Sequence, residues 1–100
     1  MLIEHTLLSV KPDQQESFEK VFTEAQQVLA KAPGFQFVDL LRETSEKGTY
    51  LLITAWATDR EGADGFRASP LFQQWNDLLT PHLAASPDSS FFSLLAHYPN

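Results

Sequence analysis

Residues 50–76 read YLLITAWATDREGADGFRASPLFQQWN, and the fold turns on how this stretch is divided. Tyr50 to Ala57 is almost continuously apolar, as a strand covered on both faces must be. Thr58-Asp59 can cap a short helical turn. Gly62 and Gly65 make the segment through Phe66 a weak helix and a candidate flexible flap. Ser69-Pro70 is a stronger start, a capping hydroxyl followed by proline at the first helical position. Leu71, Phe72, Trp75, Leu78 and Leu79 then repeat at helical spacing. A strand, a short crossing and a helix in this order predict a pocket between sheet and helix. Its landmarks are Trp56, Phe66, Phe72, Trp75 and Asn76.

Working back from this stretch, Thr44 to Gly48 is turn-like and joins the third strand, Thr49–Ala57, to a second strand, Phe35–Glu43, as a hairpin. Before it, Asp13 to Ala32 is the clearest helix. Phe18, Val21, Phe22, Ala25, Val28, Leu29 and Ala32 form one stripe. Burying its large members contributes on the order of 10 kcal/mol before entropy is charged. Pro33-Gly34 stops it. Leu2 to Val10 alternates two mixed sets, Leu2, Glu4, Thr6, Leu8 against Ile3, His5, Leu7, Ser9, and reads as the first strand. Working forward, Thr80-Pro81 interrupts the second helix, Ala84 to Ser90 reads as loop, and Phe91 to Tyr98 as the fourth strand.

The order β-α-β-β-α-β with short connections predicts an α+β, ferredoxin-like domain over residues 1–100: a four-stranded antiparallel sheet with two helices on one face. Strands three and four carry apolar residues on both faces, so the face away from the helices needs a cover. A second copy is the economical one, and a homodimer through the sheet face is expected.

Composition narrows the function. The net charge is −6 and the basic residues are scattered, which argues against nucleic acid and anionic membranes as partners, since phosphate neutralisation needs clustered cations. No apolar run approaches the roughly 20 residues of a membrane-spanning helix. No secretory signal is visible, and without cysteine there are no disulfides, thiolate metal sites or cysteine nucleophiles. A cytoplasmic location is expected. His5, His82 and His97 show no metal-ligand spacing, and no nucleotide or nucleophile-elbow motif occurs, so neither metal nor cofactor is expected.

Apolar walls with a few polar groups suit a planar organic ligand. Trp56, Phe66, Phe72 and Trp75 are the candidate walls, although each is also a core residue that a domain this small needs. His5 is the candidate proton acceptor, because imidazole exchanges protons near neutrality. Asn76 is a second candidate polar group of the pocket. His97 and Tyr98 belong either to the pocket or to the dimer interface.

Three segments carry a family resemblance: Tyr50 to Trp56, Gly65-Phe66-Arg67-Ala68-Ser69-Pro70-Leu71-Phe72-Gln73-Gln74-Trp75, and Ala32-Pro33-Gly34-Phe35. With them the chain resembles the antibiotic biosynthesis monooxygenase family of dimeric α/β barrels. The resemblance implies the fold and the dimer more specifically than the reaction. Members include oxygenases of aromatic polyketides or quinols that use neither metal nor flavin; others degrade haem or isomerise a small phosphorylated metabolite. The haem-degrading branch is similar to a pattern with asparagine on strand one, tryptophan before the second helix and histidine within it. Here those places hold His5, Phe66 and Asn76, which argues against haem. The resemblance implies a cofactor-free monooxygenase on a small aromatic or quinol, in which His5 would accept a proton and Asn76 hold a ring oxygen, with a metabolite isomerase or a non-catalytic binding dimer as alternatives.

Overall fold

Alternation along residues 2–9 sorts the molecule into two sides. Leu2, Glu4, Thr6 and Leu8 are buried, whereas Ile3 and His5 are half-buried and Leu7 and Ser9 exposed. The computed structural model describes residues 1–99. In it the chain runs β1 (Leu2–Ser9), α1 (Gln15–Leu29), β2 (Phe35–Arg42), β3 (Thr49–Trp56), α2 (Glu61–Arg67), α3 (Pro70–Leu79), one 3-10 turn (Thr80–His82) and β4 (Asp88–Ser93). The strands pair antiparallel in the order β2-β3-β1-β4. This is the expected α+β, ferredoxin-like sheet, with the second helical region divided into α2 and α3.

The core lies between the sheet and the helices. The α1 stripe enters it as Phe18, Phe22, Ala25, Val28 and Leu29, all buried, against Leu8, Tyr50, Leu52 and Trp75. The helix begins two residues later than expected, because Asp13 takes a left-handed backbone (φ 67) that an aspartate tolerates but a helix does not. Tyr50 is buried under α1, and its hydroxyl donates to Glu19 Oε2 at 2.6 Å. Burial, reinforced by the neighbouring Glu19 carboxylate, pushes the phenol up to about 12. The folded state therefore holds this proton more tightly than the unfolded chain, whose tyrosines titrate near 10. The resulting stability is complete below pH ~10 and lost as pH rises through ~12. Tyr50→Phe should flatten that fall in chemical-denaturation midpoints measured from pH 9 to 12.

The opposite face of the sheet has no helix over it. The register lines up three rows there: Phe92, Ile3, Ala55, Phe37; Ser90, His5, Ile53, Asp39; and Asp88, Leu7, Leu51, Leu41. Phe37, Leu41, Leu7 and Phe92 are each 42–51% exposed.

The fourth strand departs from expectation. It spans Asp88–Ser93 rather than Phe91–Tyr98. A strand needs a ladder partner, and β1 provides one only from Leu7↔Asp88 to Leu2↔Ser93. Beyond that the Leu94 N–H reaches Met1 C=O at 3.3 Å and the ladder ends with the N-terminus. Leu95 and Tyr98 are almost fully exposed, so the run past Ser93 is not part of the strand.

The glycine-containing segment is helical in spite of its two glycines. Residues 61–67 form α2, and Gly62 is there for space: a Cβ would sit 2.7 Å from the Trp56 ring and 3.2 Å from the Pro33 carbonyl. Gly62→Ala should destabilise the protein by about 1–3 kcal/mol through overpacking. Gly65, with open space around its Cα, should show the reverse sign, and Gly65→Ala should stabilise by about 0.5–1 kcal/mol. Paired denaturation curves check both. Ser69 precedes Pro70 as expected but does not cap α3; its hydroxyl donates to Phe66 C=O at 2.8 Å and closes the end of α2.

Candidate functional site

A cavity of about 440 Å³ opens between the helix side of the sheet and α3. That is within the usual range for small-molecule sites. Its aromatic wall is centred on Phe66, whose ring lies 6.2 Å from Trp56, 5.6 Å from Phe72 and 6.0 Å from Trp75, the last two edge-on. Residues 56, 66, 72 and 75 come from the end of β3, from α2 and from two turns of α3, and Asn76 lines the cavity beside them. The structure therefore brings together all five landmarks of residues 50–76.

It does not bring His5 to them. On β1 the residues facing the cavity are Glu4, Thr6 and Leu8, and His5 projects from the other side of the sheet, its ring 4.8 Å from that of Phe92. The expected proton acceptor is thus separated from the cavity by the sheet itself. The physical reason is the period of two: a strand places neighbouring residues on opposite faces, and β1 carries both apolar and polar residues in each set. His97 and Tyr98 do not line the cavity either; both are exposed.

Glu4 takes the place that His5 lacks. Its carboxylate is buried on the cavity wall. Oε1 accepts from the Trp56 indole N–H at 3.1 Å, and Oε2 accepts from an Arg67 guanidinium nitrogen. Arg67 sits half-exposed, its guanidinium 6.0 Å from the Phe72 ring and 5.8 Å from the Phe91 ring. Farther along the wall Thr6 and Ser89 share a hydroxyl–hydroxyl bond of 2.8 Å. No buried polar side-chain atom of the described residues lacks a partner, as a folded interior requires. A signal for Glu4 was present in the sequence. It is a lone charge in the register of Leu2, Thr6 and Leu8, and a charge on a covered face must be paired.

Among the described residues no group of three histidine, aspartate or glutamate side chains is placed to hold a metal ion, and no helix is long and apolar enough to cross a membrane.

A ferredoxin-like sheet with a hollow under its helices defines a class of small α+β domains. Within that class the chain belongs to the antibiotic biosynthesis monooxygenase family, whose sequence pattern matches residues 1–78. YczJ of Bacillus subtilis (strain 168), an uncharacterized protein, is 30% identical over 79 residues, 79% of this chain and 83% of that one. Among solved structures, a candidate antibiotic biosynthesis monooxygenase from Bordetella bronchiseptica superposes with a TM-score of 0.89 at 25% identity, covering 95% of this chain and 97% of that one. SnoaB of Streptomyces nogalater, a cofactor-independent oxygenase, superposes with a TM-score of 0.84 at 23% identity over 99% and 97% of the two chains. At that identity the likeness to SnoaB is one of fold.

Proposed function

We propose that the protein is a monooxygenase that needs no cofactor and acts on a small aromatic of the quinol or anthrone type bound in the cavity. The observation that carries this reading is a buried carboxylate, Glu4, on the wall of an aromatic-lined hollow. Family membership and the fold of a cofactor-independent oxygenase support it.

For an anthrone the chemistry balances without a bound redox group. The activated CH₂ loses one proton to Glu4, and the resulting carbanion passes one electron to O₂. The carbon radical and superoxide combine, and a proton converts the adduct to a hydroperoxide. Loss of water then leaves a carbonyl, so one oxygen atom enters the product and the other leaves in water. The protein's work is to orient the ring, accept a proton and exclude bulk solvent. Trp56, Phe66, Phe72 and Trp75 serve as walls, and Asn76 holds a ring oxygen.

The bare sheet face supports a second part of the reading, a homodimer closed face to face. Two of its three rows are almost wholly apolar, with Leu7, Leu41, Phe37 and Phe92 half-exposed, and such a patch marks an interaction surface. A chain without cysteine suits a reducing compartment, and we place its work in the cytoplasm.

Oxygen uptake with a panel of quinols and anthrones tests the activity. Uptake should saturate with substrate, depend on protein and disappear in a folded Thr6→Phe variant that fills the hollow. Protein-independent uptake, or uptake indifferent to filling, overturns the proposal. Arene binding without uptake would leave a non-catalytic binding dimer.

A further inference from the structure

We infer that the Glu4–Arg67 pair is a receptor for an uncharged aromatic hydroxyl, so that the site selects phenols over aryl ethers and over aryl carboxylates. The inference rests on the aromatic-cavity reading above and adds what the polar wall recognises.

Three observations carry it. First, the pair is part of the cavity wall, not sealed beneath it: both residues line the hollow, with the Glu4 side chain 5% exposed and that of Arg67 37%. Second, its hydrogen-bonding capacity is only partly used. Each Glu4 oxygen accepts one bond, from Trp56 and from Arg67, whereas a carboxylate has about four acceptor positions. Arg67 gives one terminal nitrogen to Glu4 and has no other side-chain acceptor among the described residues, whereas a guanidinium has five N–H donors. An acceptor and a donor therefore stand side by side on the wall. A hydroxyl matches both at once, donating to Glu4 and accepting from Arg67. An ether oxygen satisfies only Arg67.

Third, the charge is balanced. Glu4 and Arg67 cancel, and Arg60, stacked 4.1 Å over the Phe91 ring, is paired with Asp64 at 3.3 Å. A carboxylate ligand would add a negative charge beside Glu4, whose own cation is already engaged, and burying a charge without its own partner is costly. A neutral hydroxyl adds none. If its proton moves to a Glu4 oxygen, the negative charge passes to the aryl oxygen beside Arg67 and the total is unchanged. Stacking near Phe72 and Phe91 holds the guanidinium at the aromatic wall, and the Trp56 N–H positions the carboxylate.

Equilibrium dialysis at neutral pH with 2-naphthol, 2-methoxynaphthalene and 2-naphthoate tests this without turnover. Wild-type protein should bind 2-naphthol about ten-fold or more tighter than either of the others, the expected worth of a hydrogen bond to a charged group. The Glu4→Met/Arg67→Met variant removes both charges together, a replacement that buried pairs often tolerate. It should lose the preference and bind 2-naphthol no tighter than 2-methoxynaphthalene. Equal wild-type affinity for naphthol and its methyl ether, tightest binding of naphthoate, or a preference retained in the double variant would each overturn the receptor and leave the aromatic cavity standing. Failure of all three arenes to bind wild-type protein would overturn both. The wild-type ranking decides alone if the double variant does not fold.

Discussion

Glu4→Gln is expected to slow oxygen consumption on a quinol by about 100-fold or more, the usual contribution of a positioned proton acceptor. Glutamine has nearly the same shape as glutamate. Its amide oxygen still accepts from the Trp56 N–H or from Arg67, the two partners of Glu4. What it lacks is the ability to take a proton. Arene affinity should therefore fall much less than turnover, and the loss should appear in kcat rather than in KM. His5→Ala is the matched control. It lies across the sheet beside Phe92, and turnover should be unchanged. Initial rates at an oxygen electrode, with circular dichroism to confirm folding, read both variants. Full activity in Glu4→Gln, or a collapse confined to His5→Ala, would return the proton acceptor to the other side of the sheet.

Leu7→Lys should separate the two copies of the proposed homodimer. Leu7 stands in the middle of the bare face, between Leu51 and Asp88 on the neighbouring strands, and is 51% exposed in the protomer. It points away from the core, so a lysine there leaves the protomer's interior intact. In a two-fold dimer the substitution occurs twice in one interface. Burying two ammonium groups among the leucines of this face, with Asp88 offsetting part of the cost, should raise the dissociation constant on the order of 10²-fold. Sedimentation velocity across micromolar concentrations reads the change. A wild-type protein that sediments as a monomer, or a Leu7→Lys variant that sediments as a dimer, would free the face for a different partner.

Much of the fold was legible because it depends on local pattern. The α1 stripe was plain at helical spacing, and all its members are buried except the half-buried Val21. The apolar third strand is the inner strand between β2 and β1. Where reading failed, the missing information was non-local. Phe91 to Tyr98 is apolar enough for a strand, yet pairing takes in the polar Asp88-Ser89-Ser90 and stops at Ser93, because β1 has donors and acceptors to offer there and none beyond Met1. Gly62 looks like a weakness in a helix and is a clearance for the Trp56 ring.

By itself the sequence determined the element order, the helical stripe and the grouping of aromatic residues near one hollow, since each follows from periodicity and short-range stereochemistry. It also divided β1 into two sets, but alternation says only that neighbours face apart. Which set is roofed by helices was decided by the packing of α1, α2 and α3 onto one side of the sheet. That packing buried Glu4, supplied Trp56 and Arg67 as its partners, and left His5 outside. A buried carboxylate is tolerable only where distant residues converge to pair it, and that convergence exists only in the folded chain.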